Sequence, residues 1–103
     1  MAKVRRVTKA IAQAWLSDVP EDKRFWCCDG RVLKNLVELE VALRQMSDET
    51  FRYHSNAEKT DFSNWVRDVI GDETLSRHLQ KSTTRFEAAK SVAARIAWLK
   101  SKQ

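Results

Sequence analysis

His54 and Asp61 are the two residues of this chain best suited to proton chemistry. An imidazole titrates near neutral pH, and a carboxylate that fixes its tautomer turns it into a directed acid or base. The pair flanks a polar stretch, "SNAEKT" at 55–60, that reads as a loop between two helices. Catalysis asks for more than a His and an Asp. The sequence offers no arranged nucleophile, no glycine-rich phosphate loop and no metal-ligand motif. We therefore read Asp61 as a helix cap that also bonds His54, with Tyr53 and Trp65 packed around that bond. The expectation is a structural network, no enzyme, no metal and no cofactor.

The only cysteines, Cys27 and Cys28, are neighbours. A disulfide between adjacent residues is strained, and no third cysteine offers another pairing. One is expected to pack as a small hydrophobe and the other to face solvent. His54 and His78 do not give them the close spacing of a zinc motif. Unpaired thiols fit a reducing compartment. No apolar run reaches the roughly 18–20 residues of a membrane span, and the first 16 residues lack a signal-like apolar stretch. The location expected from these features is cytoplasmic.

Binding chemistry is better represented. The net charge is +5, and it is unevenly spread. Residues 77–103 hold seven Lys/Arg against one Glu, and residues 1–24 hold six against three acids. The two central quarters are each mildly acidic, with three basic and five acidic residues apiece. Basic ends suggest an anionic partner, such as nucleic acid or an acidic protein surface. The candidate contacts are Lys3, Arg5, Arg6 and Lys9 at one end and Arg85, Lys90, Arg95, Lys100 and Lys102 at the other. No helix-turn-helix, zinc-finger or RNA-recognition signature accompanies them. Trp98 stands apart, about 200° around its helix from Ile96 and so opposite the apolar face. It either packs against helix one near Trp15 or serves as an exposed anchor for a partner, including a second copy of the chain.

Helices must position all of these residues. Gly (2) and Pro (1) are scarce, so breakers are few and helix is favoured over sheet. A basic helix is expected over about 3–16, with Val4, Val7, Ile11, Ala14 and Trp15 on its apolar face. "SDVPEDK" at 17–23 breaks it. "RFWCCDG" at 24–30 has no helical period and reads as a short extended crossing, with Asp29 capping a second helix over about 31–46. That helix carries Val32, Leu36, Leu39, Leu43 and Met46, with Leu33, Val37 and Val41 widening the stripe.

"DETFRYH" at 48–54 is echoed by "DETLSRH" at 72–78. Each opens with a cap and acids that suit the positive end of a helix dipole, so they read as two helix starts, capped by Ser47 and Asp72, rather than as a duplicated site. Gly71 is expected to close the helix before Asp72 in a left-handed conformation. Phe62, Trp65, Val66, Val69 and Ile70 follow helical spacing after Thr60 or Asp61. A last basic helix opens at Thr84 with Glu87 three residues on, and runs to about residue 100. Ala89, Val92, Ala93, Ile96 and Leu99 form its apolar side.

The motifs "DGRVLKNLVELEVAL" (29–43), "FRYH" (51–54) and "DFSNWVRDVIGDETL" (61–75) together resemble a family of small helical domains of bacteria and archaea with no assigned activity. The resemblance covers about residues 25–80 and implies a helical fold. It implies nothing about ligand or chemistry.

The expected molecule is all-α: one domain, 1–103, forming a compact antiparallel bundle of about five helices with one extended crossing near 25–30. Its expected role is a non-enzymatic binding module, a small basic component of a larger assembly that contacts an anionic partner. The alternative is a protein-interaction or homodimerisation module centred on Trp98.

Overall fold

Among the described residues, five of the six helices begin where a side chain supplies an oxygen to a free backbone N–H. Thr8, Asn35, Ser47, Asp72 and Thr84 accept from the N–H groups of Ile11, Glu38, Thr50, Leu75 and Glu87 respectively. The computed structural model describes residues 6–103. These form α1 (Lys9–Leu16), a single 3-10 turn (Glu21–Lys23), β1 (Phe25–Trp26), β2 (Val32–Leu33), α2 (Leu36–Gln45) and α3 (Asp48–His54). There follow α4 (Asp61–Trp65, continued by a π turn over Val66–Ile70), α5 (Glu73–Lys81) and α6 (Arg85–Ser101). The result is a mostly helical globule with a short two-stranded hairpin.

Three boundaries differ from those expected. Helix one starts at Lys9, because Thr8 caps it and residues 6–8 approach it without helical structure. Val4, Lys3 and Arg5 lie outside the described residues. The crossing at 25–30 is the first half of an antiparallel hairpin, with Phe25 opposite Leu33 and Trp26 opposite Val32. Asp29 therefore caps no helix. Its carboxylate folds onto Arg31, accepting the backbone N–H and the Nε–H, each at 3.0 Å. Helix two accordingly begins at Leu36, behind a capping box. Asn35 accepts the Glu38 N–H at 2.8 Å, and the Glu38 carboxylate accepts the Lys34 N–H at 3.0 Å.

The α2–α6 contact is the centre of the molecule. Leu36, Leu39 and Leu43 from α2 meet Val92, Ile96 and Leu99 from α6 in one buried cluster. Val37 and Ala14, expected on apolar faces, are exposed, as is Ala93. Helix α1 packs on α6 through Ala12 and Trp15, and α5 packs between α4 and α6. Buried Ser63 and Ser76 lock α4 to α5, each hydroxyl donating to the other's backbone carbonyl at 2.8 and 2.9 Å. Gly71 ends the π turn at φ +100°, as its left-handed reading requires. A side-chain carbon there would also stand 3.2 Å from Nε1 of Trp15. The radius of gyration, 13.1 Å, is that of a compact globule of this length. Among the described residues no helix is long and apolar enough to cross a membrane.

Candidate functional site

His54 closes α3 with its ring buried. Its Nδ1 lies 2.9 Å from Oδ2 of Asp61, the first residue of α4. Its Nε2 accepts the backbone N–H of Cys28 at 3.0 Å. A backbone N–H can only donate, so Nε2 carries no proton. The ring proton therefore sits on Nδ1 and is donated to Asp61. The imidazole is neutral, aligned by a carboxylate, and its lone pair faces the hairpin turn. Asp61 does not cap α4. Thr60 occupies the cap position without a side-chain bond, and Asp61 instead holds His54 and Lys59.

Aromatic rings wall this network. Phe25, Phe62 and Tyr53 lie 5.0, 5.4 and 5.0 Å from the His54 ring. Tyr53 is exposed, with Lys59 Nζ 4.6 Å from its ring centre. Trp65 sits one ring further out than expected. It packs edge-on to Phe25 at 6.0 Å and donates its Nε1–H to the Lys23 carbonyl at 2.8 Å. Cys27 is buried and Cys28 exposed. Burial pushes the Cys27 thiol up from 9.0 to about 11, outweighing a hydrogen bond from the Asp29 backbone that favours the thiolate.

The basic candidates separate into groups. Arg6, Val7, Thr8 and Lys9 line a groove of about 800 Å³ together with Thr74, Arg95, Trp98 and Lys102. No carboxylate is among these lining residues. His78, Lys90, Ser91 and Ala94 line a second groove of about 370 Å³. Arg95 and Trp98 border both. Five of the nine expected cations, Arg6, Lys9, Lys90, Arg95 and Lys102, thus gather around one tryptophan. Arg85 is elsewhere, pairing with Asp48 at 2.9 Å, donating to the Arg44 carbonyl and lying over Phe86. Lys100 is exposed, about 200° around α6 from Trp98.

Trp98 is neither a core residue nor a bare anchor. It is 38% exposed, with the Arg95 guanidinium 4.2 Å and Lys102 Nζ 4.7 Å from its ring centre. Arg95 is itself held. Its Nε–H and Nη2–H donate to the Asp72 carboxylate at 2.6 and 3.0 Å, and Asp72 is fully buried. One carboxylate therefore caps α5, neutralises Arg95 and fixes the cation that lies over Trp98.

Two of these arrangements escape sequence reasoning. The Asp72–Arg95 pair spans 23 residues and the Cys28–His54 bond spans 26. The available signals were the acid at a buried helix start and the Cys-Cys-Asp-Gly turn. Comparison with protein-family models, with curated proteins and with solved structures found no match to this chain.

Proposed function

We propose that this domain is a non-enzymatic binding module that docks a nucleic-acid strand along the groove beside Trp98, as a basic component of a larger assembly. The observation that carries this reading is the clustering of Arg6, Lys9 and Lys102 along one groove with no lining carboxylate. Among the described residues these three cations make no ion pair, so their charge is available to phosphate. Arg95 contributes position more than charge, because Asp72 neutralises it. Lys90 extends the track past Trp98 into the second groove. Groove cations beside an exposed aromatic suit a flexible single strand, whose backbone follows the charges. The alternative, an apolar or homodimeric contact on Trp98, is less favoured because two cationic groups lie over the ring.

The test is a fluorescence-anisotropy titration of labelled single strands across a salt series. Four phosphate contacts predict a slope of log K on log salt of about −3 for a single strand. Replacing Arg6, Lys9 and Lys102 together with Gln should flatten that slope to about −1. No measurable affinity at low salt, or a slope unchanged by the triple substitution, would refute the proposal. Salt-insensitive self-association lost in Trp98→Ala would establish the alternative instead.

A further inference from the structure

The hairpin turn and the end of α3 bring three metal-binding side chains together. Gly30 (φ +97°) lets the turn close, its N–H donating to the Cys27 carbonyl at 3.0 Å and Cys27 N–H donating to the Arg31 carbonyl at 2.9 Å. This is a β-turn followed by a left-handed residue, a common three-residue hairpin closure. It presents the two adjacent thiols toward His54. The ligand atoms of Cys27, Cys28 and His54 all lie within 4.8 Å of one another.

We propose that Cys27, Cys28 and His54 form a site for a single thiophilic cation of the Zn²⁺ class, with a fourth position open to water. Three observations support it. First, the donor set is two sulfurs and one imidazole nitrogen, which is a soft set selective for such ions over Mg²⁺ or Ca²⁺. Second, His54 is already in the ligand-competent form. It is neutral, and its Nδ1–H is held by Asp61 at 2.9 Å, so the nitrogen facing the thiols is the one with the lone pair. A carboxylate behind a ligating imidazole is the usual support of a bound zinc. Third, the site has one wet side and one dry side. Cys27 and His54 are buried, His54 against Phe25 and Phe62, while Cys28 is exposed and gives the ion an entry path.

The geometric adjustment is small. Zn–S bonds of about 2.3 Å and Zn–N bonds of about 2.0 Å place tetrahedral ligand atoms about 3.5–3.8 Å apart. From separations of up to 4.8 Å the three atoms must close by at most about 1.3 Å, which rotation of the exposed Cys28 side chain and a small shift of the turn can supply. Binding exchanges the Cys28 N–H···Nε2 hydrogen bond for an Nε2–metal bond. Both thiols lose their protons to solvent as the two sulfur–metal bonds form. Nothing is oxidised or reduced.

The experiment uses the reduced, metal-free full chain and titrates Co²⁺ and then Zn²⁺. The expected result is one equivalent of Co²⁺ bound with thiolate-to-cobalt absorption in the near ultraviolet, displaced by Zn²⁺, and a Zn²⁺-dependent rise in melting temperature. Cys28→Ser, at an exposed position that leaves the core intact, should weaken binding at least about tenfold and reduce the charge-transfer intensity by about half. Asp61→Asn should retain the absorption but lower affinity by about tenfold or more, through its hold on His54. Absence of charge-transfer absorption and of any melting shift in the reduced wild type would overturn the proposal. So would spectra unchanged in Cys28→Ser. A His54→Ala variant with the Co²⁺ affinity and spectrum of the wild type would remove His54 from the ligand set and overturn the three-residue site.

Discussion

Replacing Asp72 with Ala should be among the most damaging single changes in this domain. Asp72 is fully buried and does three jobs with one carboxylate: it accepts the Leu75 N–H at 3.2 Å and both Arg95 donors. Loss of the cap costs about 1 kcal/mol. Stranding the partner of a buried ion pair costs about 3–5 kcal/mol. Arg95 keeps 14% of its side chain exposed and can turn partly toward water, which favours the lower end of that range. The expected total is about 4 kcal/mol, a large part of the roughly 5–15 kcal/mol available to a domain. In urea this should lower the unfolding midpoint by about 2 M with an unchanged slope. Asp72→Asn keeps an acceptor for Leu75 and one for Arg95, so about half the loss is expected. The decisive comparison is a cycle with Arg95→Met, which on its own leaves a buried carboxylate unpaired. The double variant Asp72→Asn, Arg95→Met removes both charges and should recover at least about 2 kcal/mol relative to additivity. A loss under about 1 kcal/mol for Asp72→Ala, or additive energies in the cycle, would refute the assignment of Asp72 and Arg95 as a mutually dependent buried pair.

Gly71→Ala should destabilise by at least about 2 kcal/mol, since it combines a left-handed conformation with a close approach to Trp15, whereas Gly30→Ala, with the same backbone demand and open space, should lose about 1 kcal/mol; paired urea curves decide it. Trp98→Ala should cost about 1–2 kcal/mol, well short of a core aromatic, because what it removes is partial burial and two cation–π contacts; a loss above about 3 kcal/mol would place the ring in the core. Of the two thiols in the metal-free, reduced protein, Cys28 should react with a thiol reagent at neutral pH and Cys27 only on unfolding. The Cys27 proton is retained in the fold up to about pH 11 but lost from the unfolded chain near 9.0, so its contribution to stability is complete below pH 9.0 and declines as pH rises toward 11. Chemical denaturation across that range, compared with Cys27→Ala, should show a steeper decline in the wild type.

Local chemistry was readable where one turn of chain contains all its parts. Ser47, Asp72 and Thr84 each cap the helix expected of them, and the echo of "DETFRYH" in "DETLSRH" is two helix starts. The second helix was placed too early because Val32 and Leu33 extend its apolar period, although their pairing with Trp26 and Phe25 is what holds them. Asn35 followed by Glu38 is the start signal of that helix, and Asp29-Gly30, where Asp29 was expected to cap it, is a hairpin signal. The expected His54–Asp61 bond is present, but its other end, the Cys28 N–H, comes from 26 residues away. Long-range partners of this kind are chosen by packing, and no local period encodes them. Arg95 shows the same limit, since a surface cation and a buried ion-pair partner look alike on a helical wheel.

The order of synthesis gives the α2–α6 contact a further meaning. Helix α6 is made after every element it covers, and it supplies Ala88, Ala89, Val92, Ile96 and Leu99 to the interior. Until those residues leave the ribosome, Leu39 and Leu43 have no lid, and the Asp72 carboxylate has no counter-charge. Translation of the 17 residues of α6 takes about one to three seconds at ordinary elongation rates. During that interval the nascent chain has no closed core, and its two-residue strands and helices of at most 10 residues are marginal on their own. The domain therefore completes its fold only after α6 emerges, and a stop or frameshift before Arg85 yields an open, adhesive fragment rather than a smaller working domain.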